Sequence, residues 1–306
     1  MDYLMTREMM MNRYIFFLLI FFIGYNIISC KNQDEKIDSN KTEPIIEIDD
    51  SSKIVFDSLL QKAKSEQWQN LKINELISKI AFELLGKPYV SYTLEKQPER
   101  CIVNLTKLDC VTFVEAVLGM SRIIKQGKMD FTDLINEVTL IRYREGNLVD
   151  YTSRLHYSSD WIFDNEKKGI VKDITKELGG IILPVNVYFM SKFPKYYKAL
   201  QVNPEFIPII SEFEKEINSR KYYFIPKDKI RPIEKKLQTG DIIVLTTNIS
   251  GMDYAHIGFV YVDEDGSRRL LHASSVKKQV FLDRTISEYI SRVKKQTGIT
   301  VLRVIE

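Results

Sequence analysis

Asp109-Cys110-Val111-Thr112-Phe113-Val114-Glu115 puts a cysteine where a helix begins. Apolar residues then recur at Val114, Val117, Leu118 and Ile124, on or near one helix face, until Gly127 supplies a stop. Unpaired backbone N–H groups and the positive end of the helix dipole favour thiolate over thiol there, and the thiolate is the nucleophile. The chain has 3 histidines. Two of them follow in one hydrophobic pattern, Ala255-His256-Ile257-Gly258-Phe259-Val260 and then Leu270-Leu271-His272-Ala273. A thiolate with strand-borne histidines is the equipment of a cysteine hydrolase.

Asp265-Gly266 lies between the two histidine segments, and Asp-Gly is a strong hairpin signal. A tight turn there pairs the strands, while the register decides whether both imidazoles share a face. In such a site one histidine takes the thiol proton and returns it to the leaving amine, and a second polar group orients that imidazole. His256 is assigned the first role and His272 the second; backbone N–H groups at the start of the cysteine helix would hold the oxyanion. Read singly, either histidine is a satisfied core residue. Cys110 has two rival readings, a disulfide with Cys101 and a zinc site, but no Cys-x-x-Cys or His-Glu-x-x-His spacing supports the metal.

Ile54 to Ala63 and Ile73 to Leu85 read as amphipathic helices, the second stopped by Gly86 and Pro88. Further helices are expected over Phe131 to Leu140, from His156 to near Gly169, over Phe206 to Ile217 and over Ile286 to Val293. Arg142 to Gly146 reads as a short strand or turn, and Ile182 to Phe189 as a strand that Pro184 confines to a sheet edge. Asp241 to Thr247, His256 to Val262, Arg269 to Ala273 and Thr300 to Val304 are short runs rich in Ile, Val and Leu. Helices first and a strand meander last give an α+β fold, with an antiparallel sheet packed against the cysteine helix. Residues 128–235 read as a large helical insertion, either a subdomain or a decoration of the core.

A hydrophobic fraction of 44% and a net charge of +3 describe an ordinary globular chain, and no basic block interleaved with aromatics points to nucleic acid. At the N-terminus, Arg13 precedes an apolar run from Tyr14 to Ile28 that stops at Ser29-Cys30. A basic start, a short apolar run and a small residue before a cysteine read as a lipoprotein signal, residues 1–30, with Cys30 as the lipidated residue. The run is short for a membrane-spanning helix, which wants ~20 residues. Residues 31–52 are polar and read as a flexible tether, leaving 53–306 as one catalytic domain. The expected location is the cell envelope, with the protein lipid-anchored in the outer membrane and either periplasmic or surface-exposed.

Several islands together resemble a family. Asp-Cys at a helix start, His-Ile-Gly-Phe-Val-Tyr from His256, Leu-His-Ala-Ser-Ser from Leu271, Gly240-Asp241-Ile242-Ile243-Val244 and Gly86-Lys87-Pro88-Tyr89-Val90 are similar to the NlpC-type cell-wall cysteine peptidases. Asp109 to Glu115 and Arg154-Leu155-His156-Tyr157 with Asp160-Trp161 resemble a narrower group, the N-acetylmuramoyl-L-alanine amidase-like (AmiA-like) family. The resemblance implies a papain-like α+β fold, no metal or other cofactor, and peptidoglycan or muropeptides as substrate. Cys110, His256 and His272 carry over onto the triad positions. Tyr92, Asp109, Arg154, His156 and Trp161 are the candidate substrate residues, with Arg154 clamping a carboxylate and Trp161 stacking on a sugar; a packed Trp beside a surface Arg is the plainer alternative. The Cys110–His256 gap is longer than in the compact peptidases. The Gly-Gly pair that those peptidases carry after Pro-Tyr is replaced by Val90-Ser91-Tyr92-Thr93, which favours an amidase over an endopeptidase. An endopeptidase and a non-catalytic muropeptide-binding lipoprotein remain the alternatives.

Overall fold

The computed structural model describes residues 49–306; the expected signal segment, Cys30 and the expected tether through residue 48 lie outside the described residues. The helices α1 (Asp50–Ser65), α2 (Ile73–Glu83), α3 (Cys110–Lys125), α4 (Phe131–Arg142) and α5 (Ser158–Lys167) come first. A mixed stretch follows: β1 (Val171–Asp173), β2 (Ile181–Leu183), α6 (Phe189–Lys192), α7 (Lys198–Val202), α8 (Phe206–Ser219), β3 (Tyr222–Pro226) and α9 (Ile230–Ile233). The meander closes the chain with β4 (Ile242–Thr247), β5 (Tyr254–Val262), β6 (Arg268–Ser274), β7 (Gln279–Thr285), α10 (Ile286–Ser291) and β8 (Gln296–Val304).

These strands form one antiparallel sheet in the order β2-β3-β8-β4-β5-β6-β7, with β1 also paired to β8. Successive side chains of a strand face opposite sides, so each strand feeds two cores. Ile242, Val244, Ile257, Phe259, Leu271 and Ala273 pack with α2, α3 and α4, while Ile243, Leu245, Val260, Leu270 and Val301 pack with α9 and α10. The α+β class and the sheet against the cysteine helix therefore match the expectation. Helix α3 is apolar nearly all round and is buried from Thr112 to Ile124 apart from Arg122, as an interior helix must be. It ends as its glycine predicts: Gly127 has φ +70°, its N–H donates to Ile124 O, and Lys128 N–H donates to Ile123 O.

Four expectations need correction. The tether ends earlier than residue 52, because Asp49 caps α1 and the buried Ser52 hydroxyl accepts the Leu105 N–H at 3.0 Å. Ile182 to Phe189 is not one strand: β2 stops at Leu183, before Pro184, and α6 starts at Phe189. The insertion over 128–235 is not purely helical, since β1, β2 and β3 fall inside it and extend the main sheet. It decorates the core rather than standing apart. Strand β7 was not expected, because most of its residues are half-buried and show no clear alternation.

Candidate active site

Local chemistry fixes the start of α3. The Asp109 carboxylate accepts the Val111 and Thr112 N–H groups at 3.0 and 2.8 Å, and the Thr112 hydroxyl receives the Asp109 N–H at 2.9 Å, a reciprocal capping box. The segment leading in is anchored to the sheet edge. Gly86 N–H donates to Val280 O, Tyr89 N–H to Lys278 O, and Leu108 N–H to Pro88 O, all within 3.0 Å. Cys110 thus becomes the first residue of a helix whose entry is pinned to β7.

Cys110 and Cys101 are both free thiols, so the disulfide reading of Cys110 fails. Cys101 is buried, with its sulfur 3.7 Å from Ile135 O and 3.9 Å from Arg142 Nη1. The N–H groups of Ile257, Cys110 and Val111 approach the Cys110 sulfur and favour its anion. Burial outweighs them, and the Asp109 charge adds to it, so the thiol is pushed up to about 12. Burial and the Asp109 charge thus work against the thiolate that the helix start was expected to favour. The residue that caps the helix spends the first free N–H groups on its own carboxylate and sets that negative charge beside the sulfur. Of the N–H groups expected to hold an oxyanion, those of Val111 and Thr112 are already engaged by the Asp109 carboxylate, which leaves that of Cys110.

The two histidines do meet. His256 Nε2 and His272 Nδ1 lie 2.5 Å apart, with the rings nearly perpendicular at 85°. The β5–β6 ladder ends at Phe259–Leu271, and both strands run on past that point. Projecting its register sets Gly258 opposite His272, and a Cβ on Gly258 would lie 2.8 Å from the His272 Cβ. The glycine between the two histidine rows is what lets the rings converge. Tyr289 of α10 covers both, 6.1 Å from His256 and 5.2 Å from His272 between ring centroids. Burial, then His272, pushes His256 down to about 3, so its imidazole rests neutral. The Ile257 N–H at the Cys110 sulfur brings the strand next to His256 against the thiol.

A cavity of about 510 Å³ opens at the start of α3, lined among others by Tyr92, Asp109, Val111, Arg154 and His156. Its wall includes both chain neighbours of Cys110. A second cavity, about 50 Å³, shares Val111, Glu115, Leu155 and His156 and reaches Ile257. Tyr92 stands at the rim, 80% exposed, in a left-handed backbone conformation at φ +63°. Arg154 is buried, pairs with Glu95 at 3.0 Å and Glu99 at 3.4 Å, and lies over the Tyr151 ring. His156 accepts or donates no side-chain bond; its Nε2 meets Tyr151 O at 2.7 Å, which makes Nε2 the protonated nitrogen. Burial, then Arg154, pushes it down to about 3.

Trp161 departs from its expected role. It is buried, its indole N–H donates to Glu115 at 3.3 Å, and it lines only the smaller cavity, so no face is open for a sugar to stack on. Arg154 is likewise no surface residue. The sequence reading missed Glu115 and Arg142, which form a fully buried ion pair at 2.7 Å under the larger cavity. Glu115 carries a visible signal, an acid inside an otherwise apolar helix. Asp283, whose carboxylate lies 3.5 Å from His272 Nε2, carries none.

Residues 79–299 match the model of the N-acetylmuramoyl-L-alanine amidase-like family. A crystal structure of an N-acetylmuramoyl-L-alanine amidase from Bacteroides uniformis is 32% identical, with a TM-score of 0.72, covering 76% of this chain and 99% of that one. A structure from Bacteroides fragilis named a putative xylanase is 35% identical, with a TM-score of 0.69, covering 74% of this chain and 100% of its own. A Legionella pneumophila protein at 17% identity and a TM-score of 0.64, covering 84% and 95%, shares the fold. No curated protein matches the chain.

Proposed function

This chain belongs to the N-acetylmuramoyl-L-alanine amidase-like family, and from that premise we propose that it is a cysteine amidase of the cell wall, built on an NlpC-type papain-like fold. Its bond is the amide between N-acetylmuramic acid and L-alanine. The observation that carries the reading is the 2.5 Å contact between His256 and His272, with the N–H of the next residue, Ile257, at the sulfur of a cysteine that starts a helix.

The chemistry follows from that arrangement. With Nε2 of His256 engaged by His272, Nδ1 is the nitrogen left to take the Cys110 proton. Thiol and imidazole rest neutral, so proton transfer accompanies attack on the carbonyl carbon rather than preceding it. The tetrahedral oxyanion faces the Cys110 N–H. Collapse returns the His256 proton to the alanine nitrogen, frees the peptide and leaves a thioester on Cys110. Water, deprotonated by His256, then releases the sugar acid and restores the thiol.

The name of the Bacteroides fragilis relative raises a glycosidase as a second reading. Such an enzyme needs a pair of available carboxyl groups across the scissile bond. The carboxylates lining the larger cavity are committed: Glu95 to Arg154, Asp109 to the helix cap and Glu115 to Arg142. That argues for the amidase. The lipid anchor at Cys30 and a place in the outer membrane complete the proposal on the strength of the N-terminal sequence alone.

Mass spectrometry of muropeptides incubated with the protein and with Cys110→Ala tests it. Free peptide and free sugar from wild type alone establish the amidase. Peptide fragments move the protein to the endopeptidases. Tight binding without turnover makes it a muropeptide-binding lipoprotein.

A further inference from the structure

His272 is fully buried, and its two ring nitrogens face different partners. Nδ1 meets His256 at 2.5 Å, while Nε2 has no hydrogen bond and lies 3.5 Å from Asp283 Oδ2. The other Asp283 oxygen, Oδ1, accepts the Arg284 N–H at 2.8 Å and its Nε at 3.2 Å. The Asp283 carbonyl accepts Arg269 Nε at 2.8 Å. Asp283 sits where the β6–β7 register shifts between Leu271↔Leu282 and Arg269↔Thr285, a bulge of the kind that re-aims a side chain. Backbone and arginine together hold one carboxylate oxygen still and leave the other turned on the buried imidazole.

Building on the reading of Cys110 as nucleophile, we propose that Asp283 is a positioning residue that sets the tautomers of both histidines. An ionised carboxylate only accepts hydrogen bonds, so the tautomer of His272 that this contact favours carries its proton on the nitrogen facing Asp283. Nδ1 of His272 is then bare and accepts from His256, which puts the His256 proton on Nε2. His256 Nδ1 is left bare, which is the state a base for the thiol must have. During turnover one proton moves, from the Cys110 sulfur to His256 Nδ1 and on to the leaving nitrogen; none passes to His272 or Asp283.

Asparagine discriminates this role from a structural one. In Asp283→Asn the amide oxygen stays with the Arg284 donors and the amide N–H turns on His272 Nε2. That forces the His272 proton to Nδ1 and the His256 proton to Nδ1, where it blocks the base. The near-isosteric Asn is therefore expected to be worse than Ala: a kcat loss of about 100-fold or more at unchanged KM, against a smaller loss for Asp283→Ala. Nitrogen-15 NMR of the histidine rings reads the cause directly. Wild type is expected to carry the proton on Nε2 of both rings, and Asp283→Asn to move it to Nδ1. An Ala variant as impaired as Asn, or unchanged tautomers in Asp283→Asn, overturns the proposal. So does a wild-type His256 protonated at Nδ1, a result that requires no variant to fold. Full turnover by Cys110→Ala sinks the nucleophile reading instead and leaves the tautomer measurement to be judged by itself.

Discussion

His256 and His272 touch through Nε2 and Nδ1 at 2.5 Å although they are not register partners and their strands stop pairing at Phe259–Leu271. The contact is made across the end of a ladder, over a glycine. It joins two strand residues that are ordinary when taken singly into one pair, and on the proposed mechanism it leaves Nδ1 of His256 for Cys110.

Gly258→Ala should separate that geometry from the fold. The new Cβ would lie 2.8 Å from the His272 Cβ and 2.9 Å from Leu271 O, so the buried imidazole has to shift. We expect a destabilisation of about 1–3 kcal/mol, read from denaturant unfolding. The loss of muropeptide turnover should be greater than that destabilisation accounts for under conditions where the variant is fully folded. Wild-type turnover in this variant would mean that the reaction tolerates a displaced His272.

The resting state of Cys110 is the second test. Burial and Asp109 hold the thiol at about 12, so iodoacetamide should react slowly at neutral pH and faster as pH rises. Asn is as good a helix cap as Asp, so Asp109→Asn keeps α3 and removes the charge. Its alkylation should be faster than wild type at each pH. Asp109→Ala should in addition cost about 0.5–2 kcal/mol through loss of the cap. Fast alkylation of wild type, flat across acidic and neutral pH, would indicate a preformed thiolate and contradict the neutral pair.

Arg142 and Glu115 are both fully buried, and Arg142 also donates to Ile102 O at 2.6 Å. Arg142→Ala strands a carboxylate in the core and should cost about 3–5 kcal/mol. Replacing both, with Glu115→Leu and Arg142→Met, removes the stranded charge and should recover most of that loss. Chemical denaturation of wild type, Glu115→Leu, Arg142→Met and the double variant gives the comparison, and simple additivity of the two single changes would show that the pair is not coupled.

Stability should fall in acid through the histidines. Burial holds His156 and His256 at about 3, against an ordinary 6.5. The unfolded chain therefore binds more protons, so the stabilisation is complete above pH 6.5 and is lost progressively as pH falls towards 3. At pH 5 unfolding should take up about one proton at each of these residues. His156→Gln can keep a donor to Tyr151 O and should lower the calorimetric proton uptake by about one; an unchanged uptake would show that His156 is already charged in the fold.

Much of this was legible because it is local. The start of α3 at Cys110, its stop at Gly127, the helix α2 with its Gly86 stop and the strands β4, β5 and β6 all depend on residues within a few positions of one another. So does the hairpin at Asp265-Gly266, where Gly266 has φ +78°. Trp161 misled for the opposite reason: its partner Glu115 is 46 residues away, and nothing next to it in the chain announces a buried indole.

The order of elements, the capped cysteine and the histidine-bearing strands follow from side-chain pattern, capping and turn chemistry, which act over a few residues and are written in the chain. The state of those groups does not. Whether Cys110 is thiol or thiolate depends on burial and on the Ile257 N–H brought by β5. Whether His256 meets His272 depends on where a ladder ends, and the approach of Asp283 depends on a bulge one strand further on. Register, burial and the neighbours of a charge belong to the packed molecule, because electrostatic energies are set by distance and solvent exclusion rather than by position in the sequence.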